Sequence, residues 1–440
     1  MASQEKLFGT DGVRGVAGER LTAELALALG AAATAEIEAQ RPQVLIIRDT
    51  RESGPMLESA LAGGVAQAGG DALLGGVLPT PAASILVRRL GLDLAAVISA
   101  SHNPWRDNGI KFFGADGRKL DEPLEARIEE RFAAGRATSR TGGGAGMVRA
   151  LEAAVDDYLR ELGSHFRLDL DGRRVAVDCA NGATYRAAPQ AFRRLGAEVE
   201  VIGAEPDGRN INEGCGSTTP ERLAELVGGS DAELGFAFDG DGDRVIAVDG
   251  EGRIRDGDEL IALAATHLRA AGSLAGVVVT VMSNYGFHQA MADAGIEVAT
   301  TPVGDRHVSA ELERRGWELG GEQSGHIIWE DFAPTGDGIA AALLTISALG
   351  AARLADAVPM ERLPQVLRNV EVADRDGLDD AEAVWSAVAA EAEALTGRGR
   401  VLLRASGTEP LVRVMVEAPD ESECVQISHR LVEVVRRELG

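Results

Sequence analysis

The sequence predicts an α/β fold, in which three similar α/β domains with mixed sheets and a smaller C-terminal α+β domain surround a central active-site cleft. Three observations carry this expectation. At 440 residues the chain is far longer than one hydrophobic core usually serves. A plan of apolar strand, helix, second strand, further helical segment and third strand runs through it three times, each time ending in a polar loop. Beyond about residue 363 the pattern changes to strands and helices of a different order.

In the first unit the strands read VLIIRD (44–49), DALLGGVL (71–78) and LAAVISA (94–100), and the last runs into SHNP. In the second they read VAVDCA (175–180), AEVEVIG (197–203) and AELGFAF (232–238), running into DGDGDR. The third has GVVVTVM (276–282), IEVATTPV (296–303) and WELGG (317–321), running into EQSGH. Open α/β sheets hold ligands beyond the carboxyl ends of their strands, so the three equivalent loops are expected to face one cleft. The stretch RATSRTGGGAG (136–146) suits neither helix nor strand and reads as a linker. LEAAVDDYLREL behind it reads as a helix leading into the second domain. The last region offers a strand near LRNVEVA, a helix from Asp380 to Thr396, strands VLLRA and LVRVMVE, and an amphipathic final helix. The expected domains are 1–150, 151–255, 256–362 and 363–440.

Composition narrows the function. Hydrophobic residues make up 45% and charged residues 26%, the balance of a globular protein. A net charge of -25 repels polyanions, which excludes nucleic acid and requires a locally basic pocket for any phosphorylated ligand. Cys179, Cys215 and Cys424 are odd in number and lack C-x-x-C spacing, which argues against a disulfide framework or zinc site and for a reducing cytoplasm. The start, MASQEKLFGTDGVRG, has no apolar core and no long apolar run follows, so neither export nor membrane insertion is expected. Of 44 basic residues only Lys6, Lys111 and Lys119 are lysine. A lysine can lose its proton when its pKa is lowered, so one inside a motif is a better acid/base candidate than an arginine.

The loops carry the chemistry. Asp239, Asp241 and Asp243 alternate with glycines after an apolar strand, so their carboxylates can converge on one cation. All-oxygen ligands suit Mg²⁺. A calcium EF-hand loop is a poor fit, because Arg244 stands at its glycine position and Gly250 at its glutamate position. Ser101, at a strand end before His102, Asn103 and Pro104, is placed to be a nucleophile or phosphoryl carrier, and no G-x-S-x-G elbow is present. Glu322, Ser324 and His326 share one loop able to bond sugar hydroxyls. RASGTEPLVR (404–413) combines Arg404 and Arg413 with Ser406, Gly407 and Thr408, the ingredients of a phosphate cradle. FGTDGVRG brings Arg14 through a glycine-rich turn, and neither a Walker A nor a strand-linked G-x-G-x-x-G motif supports a nucleotide cofactor.

Together SHNP, DGDGDR, GEQSGH and RASGTEP, in that order, resemble the α-D-phosphohexomutase superfamily along essentially the whole chain. FGTDGVRG, SASHNPWRDNGIKFF, PDGRNINEGCGST and GTEPLVRVMVE are most similar to its bacterial members that act on glucosamine phosphates. The resemblance implies interconversion of glucosamine 6-phosphate and glucosamine 1-phosphate for cell-wall precursor synthesis, with glucosamine 1,6-bisphosphate as intermediate and activator. It implies that Ser101 carries the phosphoryl group and, with Asp239, Asp241 and Asp243, holds one Mg²⁺ per chain. Lys111 and His326 become acid/base candidates, with His102 beside the serine, and Arg14 and Arg244 bind the transferring phosphoryl. Glu322 and Ser324 grip the sugar, while Arg404, Ser406, Gly407, Thr408 and Arg413 take the phosphate that is not reacting. VGDRHV (303–308) departs from the pattern, with His307 where tyrosine is common. The partner is then a small sugar phosphate, with no nucleic acid or membrane, and a homodimer is left open. A phosphatase using the same serine and metal, or a non-catalytic sugar-phosphate binder needing neither, are the competing classes.

Overall fold

A computed structural model describes residues 6–9, 11–135, 144–406 and 409–440. It divides into two compact units: residues up to Met282 together with Ile296–Val358, and Ser283–Gly295 together with Pro359–Gly440.

The first unit contains three sheets. The first comprises β1 (Val13–Val16), β2 (Gln43–Arg48), β3 (Asp71–Val77), β4 (Leu94–Ile98), β5 (Asp107–Gly114) and β6 (Val148–Ala150), in the order β1-β5-β4-β2-β3-β6. The second comprises β7 (Arg174–Asp178), β8 (Glu198–Ile202), β9 (Leu234–Phe238), β10 (Val245–Asp249) and β11 (Ile254–Arg255), in the order β11-β10-β9-β7-β8. The third comprises β12 (Gly276–Thr280), β13 (Glu297–Thr301), β14 (Leu319–Gly321) and β15 (Ile327–Trp329), in the order β13-β12-β14-β15.

One four-strand pattern recurs in all three. The first strand of each unit lies between the second and third, parallel to both, and a fourth strand pairs antiparallel with the third. These sheets are therefore mixed. The parallel core strands read as apolar runs because both faces are covered, and β4, β9 and β12 are buried along their whole length. In the first domain the strand ends earlier than the apolar run, Ser99 and Ala100 following β4, so that polar loop begins nearer the sheet than the sequence pattern suggests, whereas β9 and β14 end at Phe238 and Gly321, where their apolar runs end. After the expected linker, of which 136–143 lie outside the described residues, the chain returns to the first sheet as β6, and a helix, Ala154–His165, follows.

In the second unit β16 (Gln365–Glu371), β17 (Arg400–Ala405) and β18 (Leu411–Glu417) form an antiparallel sheet in the order β16-β18-β17. Helices Glu382–Ala394 and Glu421–Leu439 accompany it, and the last buries Cys424, Ile427, Leu431 and Val435 against the sheet's apolar side. This unit also holds the helix Tyr285–Asp293, which follows β12 in the chain. Buried Glu417 at the end of β18 accepts from Tyr285 N (2.8 Å) and Asn284 Nδ2 (3.4 Å), and Arg400 Nε closes the pair at 2.7 Å. A carboxylate at a helix N-terminus meets free N–H groups and the positive end of the dipole, which anchors the helix here. Among the described residues no helix is long and apolar enough to cross a membrane, and the three cysteines are buried and unpaired.

Candidate active site

The loops after β4, β9 and β14 meet in the first unit. Thr80 N donates to Asp241 O at 2.8 Å, which joins the first and second sheets' loops. Gly325, at φ +89°, packs on the backbone of Val245, whose N–H donates to Gly325 O at 3.0 Å, and so joins the second and third. The cavity they enclose measures about 690 Å³ and is lined by Asp11, Arg14, Ser101, His102, Asp243, Arg244, His307, Glu322, Ser324 and His326, among others.

Ser101 is more enclosed than a strand-end nucleophile was expected to be, at 2% exposure, because the second sheet's loop covers it. Its Oγ donates to Asp239 Oδ2 at 2.6 Å. Its backbone is left-handed, φ 52°, a conformation that non-glycine residues hold only when the surroundings impose it. His102 is exposed, with Nδ1 3.4 Å from Ser101 Oγ; partial desolvation, then Arg244 and Arg14, hold its pKa below the usual range.

Asp239, Asp241 and Asp243 are all buried and bring carboxylate oxygens within 4.8 Å of one another. Burial first, then Asp243 and Asp241, push the Asp239 pKa well up. Crowded carboxylates of this kind call for a cation. The donor set fits Mg²⁺, since it is all oxygen and since Asp241 Oδ1 and Asp243 Oδ1 are buried without a hydrogen-bond partner. Asp241 Oδ2 already accepts from Thr80 Oγ1 (2.6 Å) and Lys111 Nζ (2.9 Å).

Lys111, on β5, is 2% exposed and also faces Asp11 (3.6 Å) and Asp243 (4.0 Å). Burial lowers its pKa, but Asp11, Asp241 and Asp243 outweigh burial and raise it. These carboxylates work against the lowered pKa that acid/base duty asks of a lysine. His326 is buried, with Nδ1 3.6 Å from Asp243 Oδ2 and Nε2 3.8 Å from Asp305 Oδ2. Burial disfavours its charged form, yet Asp243 and Asp305 raise its pKa, while Gly336 N donates to Nε2 at 3.2 Å.

Arg14 pairs with Asp11, and Arg244 N donates to Asp239 Oδ1 at 3.2 Å. The Nε atoms of both arginines are buried without a hydrogen-bond partner beside the cavity they line. Glu322 Oε1 accepts from Gly304 N at 3.0 Å, which ties the VGDRHV segment to the GEQSGH loop, and Ser324 is exposed at the cavity.

In the second unit Arg404 and Arg413 face each other across β17 and β18. Burial, then Arg413, lowers the Arg404 pKa, as expected for like charges placed directly opposite. Ser406 is buried at the end of β17, and Gly407 and Thr408 lie outside the described residues.

Several residues were not anticipated. Lys119 Nζ bridges Asp11 (2.7 Å) and Asp305 (2.6 Å), joining the first and third domains' loops. Its scarcity as a lysine was the one available signal. Arg375 Nη1 donates to Ser406 O at 3.0 Å and adds a third guanidinium to the RASGTEP loop. Arg51 and Asn212 contact the backbone of Ser101 itself.

Four family models match the chain in order. Those for phosphoglucomutase/phosphomannomutase alpha/beta/alpha domains I, II and III cover residues 5–139, 156–252 and 256–362, and that for the C-terminal domain covers 367–434. A phosphoglucosamine mutase of Desulforudis audaxviator is 50% identical over 438 residues, 98% of this chain and 97% of its own. One of Mycolicibacterium vanbaalenii is 50% identical over 439 residues, 98% of this chain and 99% of its own. The crystal structure of a phosphoglucomutase/phosphomannomutase family protein from Burkholderia thailandensis superposes with a TM-score of 0.82 at 26% identity, covering 98% of this chain and 97% of that one.

Proposed function

Because the chain belongs to the phosphoglucomutase/phosphomannomutase family, we propose that it is a phosphohexomutase that interconverts glucosamine 6-phosphate and glucosamine 1-phosphate in the cytoplasm. The observation that carries the reading is Ser101 Oγ bonded at 2.6 Å to Asp239, inside a buried carboxylate triad that opens on an arginine-lined cavity. A phosphatase would share the serine and the metal; the 50% identity to phosphoglucosamine mutases favours the isomerase.

In the forward direction phosphorylated Ser101 gives its phosphoryl group to O1 of glucosamine 6-phosphate, the O1 hydroxyl losing its proton. Free Ser101 and glucosamine 1,6-bisphosphate result. The bisphosphate turns over in the site, and Ser101 Oγ attacks the 6-phosphoryl group, so that glucosamine 1-phosphate leaves and the phosphoserine is restored. Asp239, Asp241 and Asp243 would hold Mg²⁺, which supplies charge neutralisation for the transferring group when bound. Arg14, Arg244 and Lys111 add fixed positive charge along the same path, the main demand of phosphoryl transfer. His326 is the group placed to handle the hydroxyl proton, with Lys111 holding the charge beside it. Glu322 and Ser324 orient the sugar, and Arg404, Ser406, Gly407, Thr408 and Arg413 bind the unreacting phosphate in either orientation.

Parallel kinetics on glucosamine, glucose and mannose 6-phosphates, each primed with its own 1,6-bisphosphate, test the substrate. The glucosamine phosphate is expected to have the highest kcat/KM. A preference for either other sugar overturns the substrate assignment, and inorganic phosphate as sole product overturns the isomerase.

A further inference from the structure

Among the described residues, the non-glycine residues with positive φ are Ser101 (52°), Ala180 (53°), Asn181 (48°) and Asn212 (59°). They do not scatter. All four sit along the seam where the second domain's loops press on the Ser101 loop: Thr50 Oγ1 donates to Asn181 O at 2.6 Å, Asn212 N donates to Ala180 O at 2.9 Å, and Asn212 Nδ2 donates to Ser101 O at 3.0 Å.

The peptide groups of Ser101 are gripped on both sides. On the N–H side Ser101 N donates to Ser99 Oγ at 3.0 Å, and Ser99 Oγ donates to Asp49 Oδ2 at 2.5 Å. On the carbonyl side Ser101 O accepts from Asn212 Nδ2 and from Arg51 Nη2 at 2.8 Å. Arg51 is fully buried, and its guanidinium also donates to Asn103 O and Pro104 O while Nε is held by Asp49 Oδ2 at 2.8 Å. Only a planar fork with several fixed donors can serve three carbonyls and one carboxylate together; an ammonium cannot.

We infer that Arg51 and Asn212 are positioning residues for phosphoryl transfer: they clamp the Ser101 carbonyl, hold the residue left-handed, and so aim its Oγ at Asp239 and the cavity. The inference rests on Ser101 being the phosphoryl carrier. A left-handed non-glycine residue is strained, the clamp offsets that strain, and a small displacement of the carrier oxygen is felt strongly in the transfer step. Asn212 comes from the second domain, so the clamp also makes the carrier's geometry depend on the seating of that domain's loop.

Asn212→Gly separates positioning from folding. Asn212 has φ 59°, which glycine adopts without penalty, so a purely structural turn residue is replaced at no cost while the amide that holds Ser101 is lost. The expected result is an unchanged or raised melting temperature, kcat lowered about 10-fold or more, and KM within twofold. Arg51→Lys, which keeps charge and loses the fork, should show the same kcat-against-KM split. Ser101→Ala runs alongside. If it retains turnover, the carrier assignment fails; if it is inactive while folded Asn212→Gly keeps kcat within twofold of wild type, the clamp is refuted. Should Arg51→Lys not fold, the Asn212→Gly result alone decides.

Discussion

Gly240→Ala perturbs the same geometry from the loop of Asp239, Asp241 and Asp243, and its size can be worked out. A Cβ built on Gly240 lies 2.5 Å from Ser101 O, 2.7 Å from Asn212 Nδ2 and 2.9 Å from Ile211 Cδ1. Real Cβ contacts essentially never fall below 3.0 Å, so the Ser101 carbonyl must retreat by about 0.5 Å or the Asp239 loop must lift by as much. Neither is free. The carbonyl is pinned by Arg51 and Asn212, and the loop by the Thr80 and Ser101 bonds to Asp241 and Asp239. Overpacking of a tight interior typically costs ~1–3 kcal/mol of stability. With a misplacement of ~1 Å worth ~10²-fold in rate, half that distance predicts a loss of kcat of roughly 10-fold. The assay is steady-state turnover of the primed monophosphate with thermal unfolding of the same preparation. KM should stay near wild type, because the GEQSGH and RASGTEP loops proposed to bind substrate are untouched. A variant with wild-type kcat and melting temperature would refute the reasoning, since it would mean the three atoms have room to spare.

Three other perturbations have expected outcomes. Chelation should abolish activity and Mg²⁺ restore it, and Asp241→Asn should weaken Mg²⁺ binding by calorimetry at least ~10-fold, in line with the ~10–100-fold seen for mere outer-shell partners; equal affinity would place the metal elsewhere. Arg404→Gln removes one of two facing guanidiniums, so the melting temperature should hold or rise while KM for the monophosphate increases with little change in kcat; an unchanged KM would remove this loop from substrate binding. Burial, then Arg400, lowers the His288 pKa to about 4, against ~6.5 unfolded. The folded state resists protonation, so this stability is present above pH ~6.5 and is lost as pH falls through about 4. Calorimetric unfolding across that window should therefore show a shallower decline for His288→Gln than for wild type, and identical slopes would contradict it.

The parts legible in the sequence were those whose chemistry is local. Three carboxylates alternating with glycines can converge on a cation whatever the fold, and Ser101, Glu322, His326 and the arginine loop each sit where an apolar run stops. The shared strand order of the three sheets brings the loops of Ser101, of the three aspartates and of Glu322 and His326 together, as the repeated plan implied. What could not be read were contacts whose partner is a distant main-chain atom. Arg51 serves a carbonyl 50 residues away and Asn212 one 111 residues away, and carbonyls carry no side-chain signature. Arginine abundance hid Arg51 further, whereas Lys119 was visible by rarity but had no discernible partners until Asp11 and Asp305 came together. The left-handed backbone of Ser101 was equally silent, because serine has no preference for it that a motif could betray.

The anchoring of helix Tyr285–Asp293 by Glu417 bears on how the chain is made. Asn284 and Tyr285 leave the ribosome 133 and 132 residues ahead of their acceptor, an interval of roughly 7–27 s at ~5–20 residues per second. Throughout it, the helix lacks the carboxylate that seats its first turn. A nascent chain that stalls short of β18 would thus display all three sheets of the first unit beside a frayed internal segment, a ready entry point for quality-control proteases. For the same reason, the C-terminal domain cannot be exchanged between relatives as a linear cassette beginning near Pro359 unless residues 283–295 travel with it.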